Sequence, residues 1–252
     1  QRMVVSDPMG HLLAFFATLN PGDEVLFVDP YFVMYKHLPT LCGAKGVAID
    51  TYPDFRLHPE RVEAAITPKS KLLVLCSPNN PTGITYTQEE LAAVAAIAKK
   101  HGLLVISDEI YDAFCYIPHV SIAAQLPDQC IMLKGYSKTY GMTGWRLGYA
   151  AGPKPIIEQM TKLQQYTFVC APSMVQYAAL EATLPAHVDM TAYIQAYKKK
   201  RDMFVEGLKD CYEINQPNGA FYAFPKVPGN GKVTGTKFAE MAIERNLLLI
   251  PG

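Results

Sequence analysis

The chain has 252 residues, half of them hydrophobic, and its 23 lysines and arginines balance 23 aspartates and glutamates. A chain of this length can bury one large core, or one core and a smaller second one. Balanced charge gives no reason to expect a nucleic acid or an anionic membrane as a partner. The apolar runs end well short of the roughly 20 residues that a membrane-spanning helix requires, so we expect a soluble protein.

The six cysteines and six histidines are scattered along the chain. Cysteines without close pairs, several of them inside apolar runs, are typical of core residues in a reducing compartment, and we predict a cytoplasmic protein. The dispersed histidines favour a protein without a metal site. No signal peptide is visible, and because the chain begins at Gln1 rather than at a methionine, we treat both ends as open.

Short apolar runs alternate with amphipathic runs up to residue 152. The sequence predicts strands over residues 24–28, 44–49, 72–76, 103–106, 131–133 and 147–151. It predicts helices over residues 11–19 and 30–41, and a third helix that begins at Pro59. A fourth helix is predicted to begin at the capping pair Thr87 and Glu90 and to end at Gly102. This alternation indicates an α/β fold with a mainly parallel sheet. Too few residues separate 133 from 147 for a helical crossover, so we expect the strand at 147–151 to run antiparallel.

The pattern changes after Gly152 to long helical stretches. We predict a helix over residues 188–208, a strand over 219–224, a helix over 236–245 and a strand over 247–250. This α+β pattern indicates a large domain over residues 1–185 and part of a smaller C-terminal domain over residues 186–252. The basic run at 198–201 is predicted to be a solvated helix face.

One lysine, Lys138, follows the apolar run 131–133 and precedes Arg146 in a glycine-rich stretch. A lysine amine can form a Schiff base with an aldehyde cofactor, and an arginine a turn or two away can bind a phosphate through its planar fork of donors. The stretch therefore suggests a phosphorylated aldehyde as the cofactor. The alternative interpretation is a surface loop with incidental charges.

Four side chains follow predicted strand ends, which is where an open parallel sheet binds ligands. They are Phe32, Asn80, Asp108 and Lys138. Asp108 ends an apolar strand, where a buried carboxylate needs a partner such as a protonated ring nitrogen. Asn80 and Tyr111 are suited to hydrogen-bond a phenolic oxygen, and Phe32 to stack on a flat ring. Taken singly, each residue also fits a turn, cap or core role.

Three consecutive motifs carry a resemblance to a known family. They are SPNNPTG at 77–83, SDEIYDAF at 107–114 and GYSKTYGMTGWRLGY at 135–149. NPGDEVLFVDPYF at 20–32 and PNGAFYAFP at 217–225 extend the likeness over nearly the whole chain. In order and spacing these motifs resemble the class I/II, fold-type-I pyridoxal-phosphate aminotransferases. The resemblance implies a three-layer α/β fold with a mainly parallel sheet.

The resemblance also implies a role for each candidate residue. Lys138 would carry the cofactor as a Schiff base, Asp108 would pair with the pyridine nitrogen, and Asn80 and Tyr111 would hold the phenolic oxygen. Lys138, Asp108 and Tyr111 are thus the candidate catalytic residues. The phosphate would be held by the side chains of Ser137 and Arg146 and by the free amides at a helix start, near Met9, Gly10 and His11. Phe32 would lie against the face of the cofactor ring.

The sequence departs from the family pattern at several places. Gly135 stands where a hydroxyl residue often contributes a phosphate contact, and Ser6–His11 contain one glycine where the family's phosphate turn has more. Family members also begin earlier and continue past Gly252 to an arginine that binds the substrate carboxylate. We therefore expect a fragment that lacks both ends, binds the cofactor weakly and transaminates poorly. As in that family, we expect the Asn80–Pro81 and Asp29–Pro30 bonds to be cis.

The expected function is pyridoxal-phosphate-dependent transfer of an amino group between an amino acid and a 2-oxo acid, by a homodimer in the full-length protein. Two alternatives stay open. Another reaction of the same cofactor, such as β-elimination or racemisation, would use the same residues. A non-catalytic aminotransferase-like domain would instead sense the cofactor in a transcription regulator, which would require a DNA-binding segment ahead of Gln1.

Overall fold

The computed structural model describes residues 1–5, 9–184, 189–229 and 231–252. Within these ranges the strands are β1 (Arg2–Val5), β2 (Glu24–Asp29), β3 (Lys45–Asp50), β4 (Ser70–Cys76), β5 (Leu104–Asp108), β6 (Cys130–Gly135) and β7 (Gly148–Ala151). The α-helices are α1 (Met9–Thr18), α2 (Met34–Leu41), α3 (Pro59–Ala64), α4 (Gln88–His101), α5 (Tyr136–Thr139), α6 (Lys154–Thr167), α7 (Ser173–Ala182), α8 (Thr191–Leu208) and α9 (Gly235–Ile243).

In the described part of the chain, the strands form one seven-stranded sheet in the order β1-β7-β6-β5-β4-β2-β3. Strands β2 to β6 pair in parallel, whereas β7 is antiparallel to both β6 and β1. The predicted antiparallel strand is therefore confirmed, and its cause is the short connection between β6 and β7. The sequence did not predict β1, because four residues are too few to show a period. That strand pairs Arg2 with Ala151 and Val5 with Gly148.

The sheet is buried on both faces and separates two hydrophobic cores. Phe27 and Val74 belong to the core that also contains residues of α1 and α6. Their neighbours Leu26 and Leu73 belong to the core that contains residues of α3 and α4. Because successive strand residues point to opposite faces, the uninterrupted apolar runs of β2 and β4 supply both cores. The predicted three-layer α/β arrangement is confirmed.

Helix α4 has the boundaries that its sequence predicts. At its start the Thr87 hydroxyl accepts the Glu90 amide at 3.3 Å, and the Glu90 carboxylate accepts the Thr87 amide at 2.6 Å. These two bonds form a capping box, which satisfies amides that the first helical turn leaves without partners. At its end Gly102 adopts φ +65°, the left-handed conformation that terminates a helix with little strain when the residue is glycine.

Two strands predicted near the C-terminus are wrong. Residues 219–224 form only an isolated bridge between Gly219 and Cys115, and residues 247–250 form no strand, with Ile250 93% exposed. A strand is stabilised only when a neighbour satisfies its backbone groups, and the described residues supply no such neighbour. Several helix starts also differ from prediction: α1 begins at Met9, α2 at Met34 and α8 at Thr191.

The predicted boundary between residues 185 and 186 lies outside the described residues, so the division into 1–185 and 186–252 stays a prediction. Helix α8 has no buried residue among those described. The prediction of a solvated face at 198–201 is wrong for Arg201, whose side chain is only 11% exposed. Its guanidinium lies 4.7 Å from the centre of the Tyr116 ring, because the long side chain can cover an aromatic surface.

Three features concern the described chain as a whole: its helices, its cysteines and its cis peptide bonds. No described helix combines the length and apolar character needed to cross a membrane. All six cysteines are free thiols. The Asn80–Pro81 and Asp29–Pro30 bonds are cis, as expected, and Tyr52–Pro53 and Ser77–Pro78 are cis as well.

Candidate active site

The carboxyl ends of β4, β5 and β6 lie side by side and place most of the candidate residues at one edge of the sheet. Cys76 of β4 pairs with Asp108 of β5, and Asp108 pairs with Leu133 of β6. Asn80 lies in the loop that follows β4, and Lys138 lies in α5, directly after β6. The parallel sheet thus brings together residues that are far apart in the sequence, as we predicted from the strand ends.

The Asp108 carboxylate is buried and bound from three directions. Tyr35 donates its hydroxyl to Oδ2 at 2.6 Å, the Ile110 amide donates to Oδ1 at 3.2 Å, and His11 Nε2 lies 3.1 Å from Oδ2. Burial by itself would raise the pKa of Asp108, but the adjacent His11 and these donors together lower that pKa below its usual value. Asp108 is therefore ionised at neutral pH.

The donors around Asp108 leave capacity for a ligand. An ionised carboxylate offers about four lone-pair positions, and Tyr35 and Ile110 each occupy one. His11 Nε2 is buried and lies close to Asp108 without an aligned hydrogen bond to it. The carboxylate can therefore accept a further charged donor.

The Tyr111 hydroxyl lies between two polar neighbours. It is 2.6 Å from the Tyr222 hydroxyl, and Asn80 Nδ2 donates to it at 3.5 Å. Burial first, and then the Tyr222 hydroxyl, raise the pKa of Tyr111 well above its usual value. Tyr111 is consequently a neutral phenol that can donate a hydrogen bond. Asn80 and Tyr111 were both predicted for this place, whereas Tyr222 was not.

The amine of Lys138 lies against aromatic rings. Its Nζ is 5.8 Å from the centre of the Tyr111 ring and 6.0 Å from that of Phe221. No salt bridge joins Lys138 to a carboxylate in the described ranges, whereas Lys134, on the preceding strand, contacts Asp112 at 2.6 Å. A lysine that lies against aromatic rings, and that is not engaged by a carboxylate there, fits the role predicted for Lys138.

The residues predicted to bind phosphate lie at the starts of α1 and α5 and in the loop after α5. Ser137 is buried in α5, and Arg146 is exposed in a left-handed conformation with φ +51°. Helix α1 begins at Met9, and a Cβ on Gly10 would lie 3.1 Å from the Leu133 side chain, so a larger residue would crowd the sheet. Residues 6–8 of the predicted phosphate turn lie outside the described residues. The phosphate roles therefore stay predictions.

Phe32 follows β2 at the same edge of the sheet. It is half-buried, and its ring contacts that of Tyr35 edge-on with centres 5.7 Å apart. Since Tyr35 holds Asp108, Phe32 lies next to the residue that positions the carboxylate. Stacking of Phe32 on a cofactor ring stays a prediction.

A segment from the C-terminal part of the chain, residues 217–222, completes the site. Asn218 Oδ1 accepts the Thr85 amide at 2.6 Å, and the Gly219 amide donates to the Gly83 carbonyl at 2.8 Å. A Cβ on Gly219 would lie 2.6 Å from Pro78, so only glycine fits this approach. These contacts hold Tyr222 against Tyr111.

Comparison with known proteins agrees with this geometry. The family model for aminotransferase class I and II matches residues 6–252. The chain belongs to this family. Because the match covers nearly all residues, the resemblance carried by the separate motifs is confirmed as membership in the aminotransferases of class I and II.

Individual relatives and solved structures support the same conclusion. A probable aspartate aminotransferase of Methanocaldococcus jannaschii is 38% identical over 247 residues, which cover 96% of this chain and 65% of that protein. A probable N-acetyl-LL-diaminopimelate aminotransferase of Bacillus subtilis is 41% identical over 243 residues, which cover 95% of this chain and 62% of that protein. The structure of an aromatic aminotransferase from Pyrococcus horikoshii matches with a TM-score of 0.96 at 35% identity, over all of this chain and 70% of that one. The chain thus spans just under two thirds of the length of these curated relatives.

Aminotransferases of this class and fold depend on pyridoxal phosphate, and the residues described here fit that cofactor. Asp108 retains acceptor capacity for a protonated ring nitrogen, Tyr111 is a neutral donor for a phenolic oxygen, and Lys138 has no carboxylate partner among the described residues. The described residues contain no group of three or more histidines, cysteines or acidic residues arranged to hold a metal ion.

Three contributions to this candidate site were not predicted from the sequence. Tyr35 lies within a stretch predicted only as a helix, and nothing in its spacing linked it to Asp108. His11 was predicted to act through its backbone, whereas its side chain contacts Asp108. Tyr222 lies in the motif at 217–225, so that motif was the available signal, although a strand was predicted there.

Proposed function

We propose that this chain forms the cofactor-binding part of a pyridoxal-phosphate-dependent aminotransferase, which moves an amino group between an amino acid and a 2-oxo acid. The observation that carries the proposal is the convergence of Lys138, Asp108 and the Asn80–Tyr111 pair at one edge of the sheet. An unpaired amine, a buried carboxylate and neutral donors are the groups that such a cofactor needs from its protein.

When bound, pyridoxal phosphate supplies a conjugated ring that draws electrons away from the substrate Cα. Lys138 Nζ would bind the aldehyde carbon and, once released by the incoming substrate amine, would take and return a proton at Cα. Asp108 would hold a proton on the ring nitrogen, since its own pKa is kept low by its neighbours. Tyr111 and Asn80 would donate hydrogen bonds to the phenolic oxygen.

The remaining candidate residues would orient the cofactor. Arg146 and Ser137 would bind its phosphate together with the backbone at Met9, Gly10 and His11, because free amides at a helix start attract an anion. Phe32 would lie against the ring face. Positioning of this kind supplies much of an enzyme's rate, since it removes the entropy cost of bringing the reacting groups together.

The assignment of Lys138 can be tested directly. The protein is loaded with pyridoxal phosphate and reduced with borohydride, and its lysines are then mapped by mass spectrometry. We expect the pyridoxyl label on Lys138 and its loss in Lys138→Arg, which keeps the charge but cannot form the bond. A label that falls mainly on another lysine would show that the role of Lys138 is wrong.

We further propose a homodimer in the cytoplasm, acting on amino acids and 2-oxo acids. Support for a dimer comes from large apolar side chains that are exposed at or between α6 and α7: Tyr166, Val169, Met174, Tyr177 and Leu180. Exposed apolar side chains that cluster in one stretch of the chain favour association. The six free cysteines support a reducing compartment. Sedimentation of the full-length protein would test the dimer, and a monomer at micromolar concentration would exclude it.

A further inference from the structure

Cys115, His119 and Glu109 form a line of contacts outside the residues assigned to the cofactor. His119 Nδ1 lies 3.5 Å from Cys115 Sγ, and its other nitrogen, Nε2, lies 3.2 Å from Glu109 Oε2. The three side chains thus stand in the order of a nucleophile, a base and a carboxylate that orients the base. This is the arrangement that activates thiols and hydroxyls in proteins.

The carboxylate end of this line is rigidly held. The Glu109 side chain is only 1% exposed, and it accepts hydrogen bonds from the hydroxyls of Ser107 and Ser121, with Lys134 Nζ 3.5 Å away. Burial alone would raise the pKa of Glu109, but the donors, including His119, and the Lys134 charge together lower it. Glu109 is therefore a fixed anion that orients the His119 ring.

The histidine carries a positive charge at neutral pH. Its contact with Cys115, followed by its contact with Glu109, raises the pKa of His119 to about 9. Nδ1 of the charged ring donates toward the Cys115 sulfur. A sulfur beside a histidinium is the setting in which cysteine acts as a nucleophile. The exposed cysteines Cys170 and Cys211 have no histidine contact within the described ranges.

We propose that Cys115 is a reactive thiol that hydrogen peroxide modifies in preference to the other five cysteines. The Cys115 sulfur gives up its thiol proton to solvent as it attacks one peroxide oxygen, so that an S–O bond forms as the O–O bond breaks. The departing hydroxide takes the proton from His119 and leaves as water. Sulfur loses two electrons and becomes a sulfenic acid, while the peroxide is reduced.

The position of Cys115 places this modification beside the aminotransferase site. Its backbone forms the isolated bridge with Gly219, and the next amide, that of Tyr116, donates to the Asn218 carbonyl at 2.9 Å. These contacts belong to the segment that supplies Tyr222. Cys115 is therefore joined through its backbone to the segment that completes the site.

The test compares all six cysteines within one molecule. The protein is treated with hydrogen peroxide at pH 7 in the presence of dimedone, which traps sulfenic acids, and each labelled peptide is quantified over time by mass spectrometry. We expect labelling at Cys115 to be at least about tenfold faster than at Cys170 and Cys211, although those two are more exposed. Labelling of Cys115 that is equal or slower would overturn the proposal without reference to any variant.

A variant isolates the cause of the reactivity. His119→Gln removes the charged donor and should lower the rate at Cys115 to that of Cys170 or below. His101→Gln is the matched control, since His101 Nε2 also contacts a carboxylate, Glu63, at 3.1 Å but contacts no cysteine in the described structure. It should leave the rate unchanged. An unaltered rate in His119→Gln, with the fold verified by circular dichroism, would also refute the proposal.

Discussion

The hydrogen bond from Tyr35 to Asp108 allows a quantitative prediction for Tyr35→Phe. The phenylalanine ring keeps the packing but removes a 2.6 Å bond to a buried carboxylate. A hydrogen bond to a charged group contributes about 1.5–3 kcal/mol, and its loss raises the folded-state pKa of Asp108. We expect the free energy of unfolding to fall by that amount at pH 7.

The pH dependence of this loss follows from the direction of the shift. The folded-state pKa of Asp108 lies below 3.8, the ordinary value for an aspartate in an unfolded chain. Its ionised form therefore contributes stability that is present above pH 3.8 and is lost as the pH falls through the folded-state pKa. In Tyr35→Phe the folded pKa is higher, so the carboxylate is protonated earlier on acidification. The difference between wild type and variant should therefore be full at pH 7 and should shrink as the pH falls below about 4.

The assay is urea unfolding of the cofactor-free protein, followed by circular dichroism at pH values from 7 downwards. Tyr86→Phe is the matched control, because Tyr86 is a fully buried tyrosine in the opposite core whose hydroxyl donates no hydrogen bond to a carboxylate among the described residues. It should lose less than Tyr35→Phe, with little dependence on pH. A loss below about 0.5 kcal/mol in Tyr35→Phe at pH 7, or a loss that grows on acidification, would refute the reasoning.

Three further predictions concern separate parts of the chain. Asp108→Asn keeps the shape but removes the charge, so kcat/KM of the full-length enzyme should fall at least about 100-fold; activity within a few-fold of wild type would contradict the role of Asp108. Gly219→Ala should lower the free energy of unfolding by about 1–3 kcal/mol, because its Cβ would crowd Pro78. The control is Gly144→Ala, where the added Cβ meets open space, and it should change the free energy of unfolding by less than about 0.5 kcal/mol. Equal urea midpoints for these two variants would contradict the clash. Thr87→Ala should cost about 1 kcal/mol through the lost helix cap, and an unchanged urea midpoint would argue against the capping box.

Local patterns in the sequence determined much of the fold. The apolar runs of β2 and β4 predicted strands buried on both faces, and the capping pair and Gly102 predicted both ends of α4. The direction of β7 followed from the length of its connection. These features depend on interactions between residues that are near in sequence, or on simple limits of chain length, so they can be read without a tertiary structure.

Part of the candidate site could also be predicted from local patterns in the sequence. Lys138, Asp108 and Asn80 each follow a strand, and parallel strands end at a common edge, so their meeting required only the order of the strands. The family motifs, which residues 6–252 match as a whole, added the expected roles. Periodicity gave wrong predictions for residues 219–224 and 247–250. They have the composition of strands, but no neighbour in the described part of the chain pairs with them along their length.

Tertiary structure alone decided which side chains support Asp108 and Tyr111. Tyr35 and His11 come from α2 and α1, and Tyr222 comes from a segment more than a hundred residues beyond Tyr111, so no local pattern marks them. The low pKa of Asp108 and the raised pKa of His119 arise in the same way, because only folding brings their hydrogen-bonding partners into contact with them. A sequence names the groups that can react, whereas the distances that tune those groups exist only once the chain has packed.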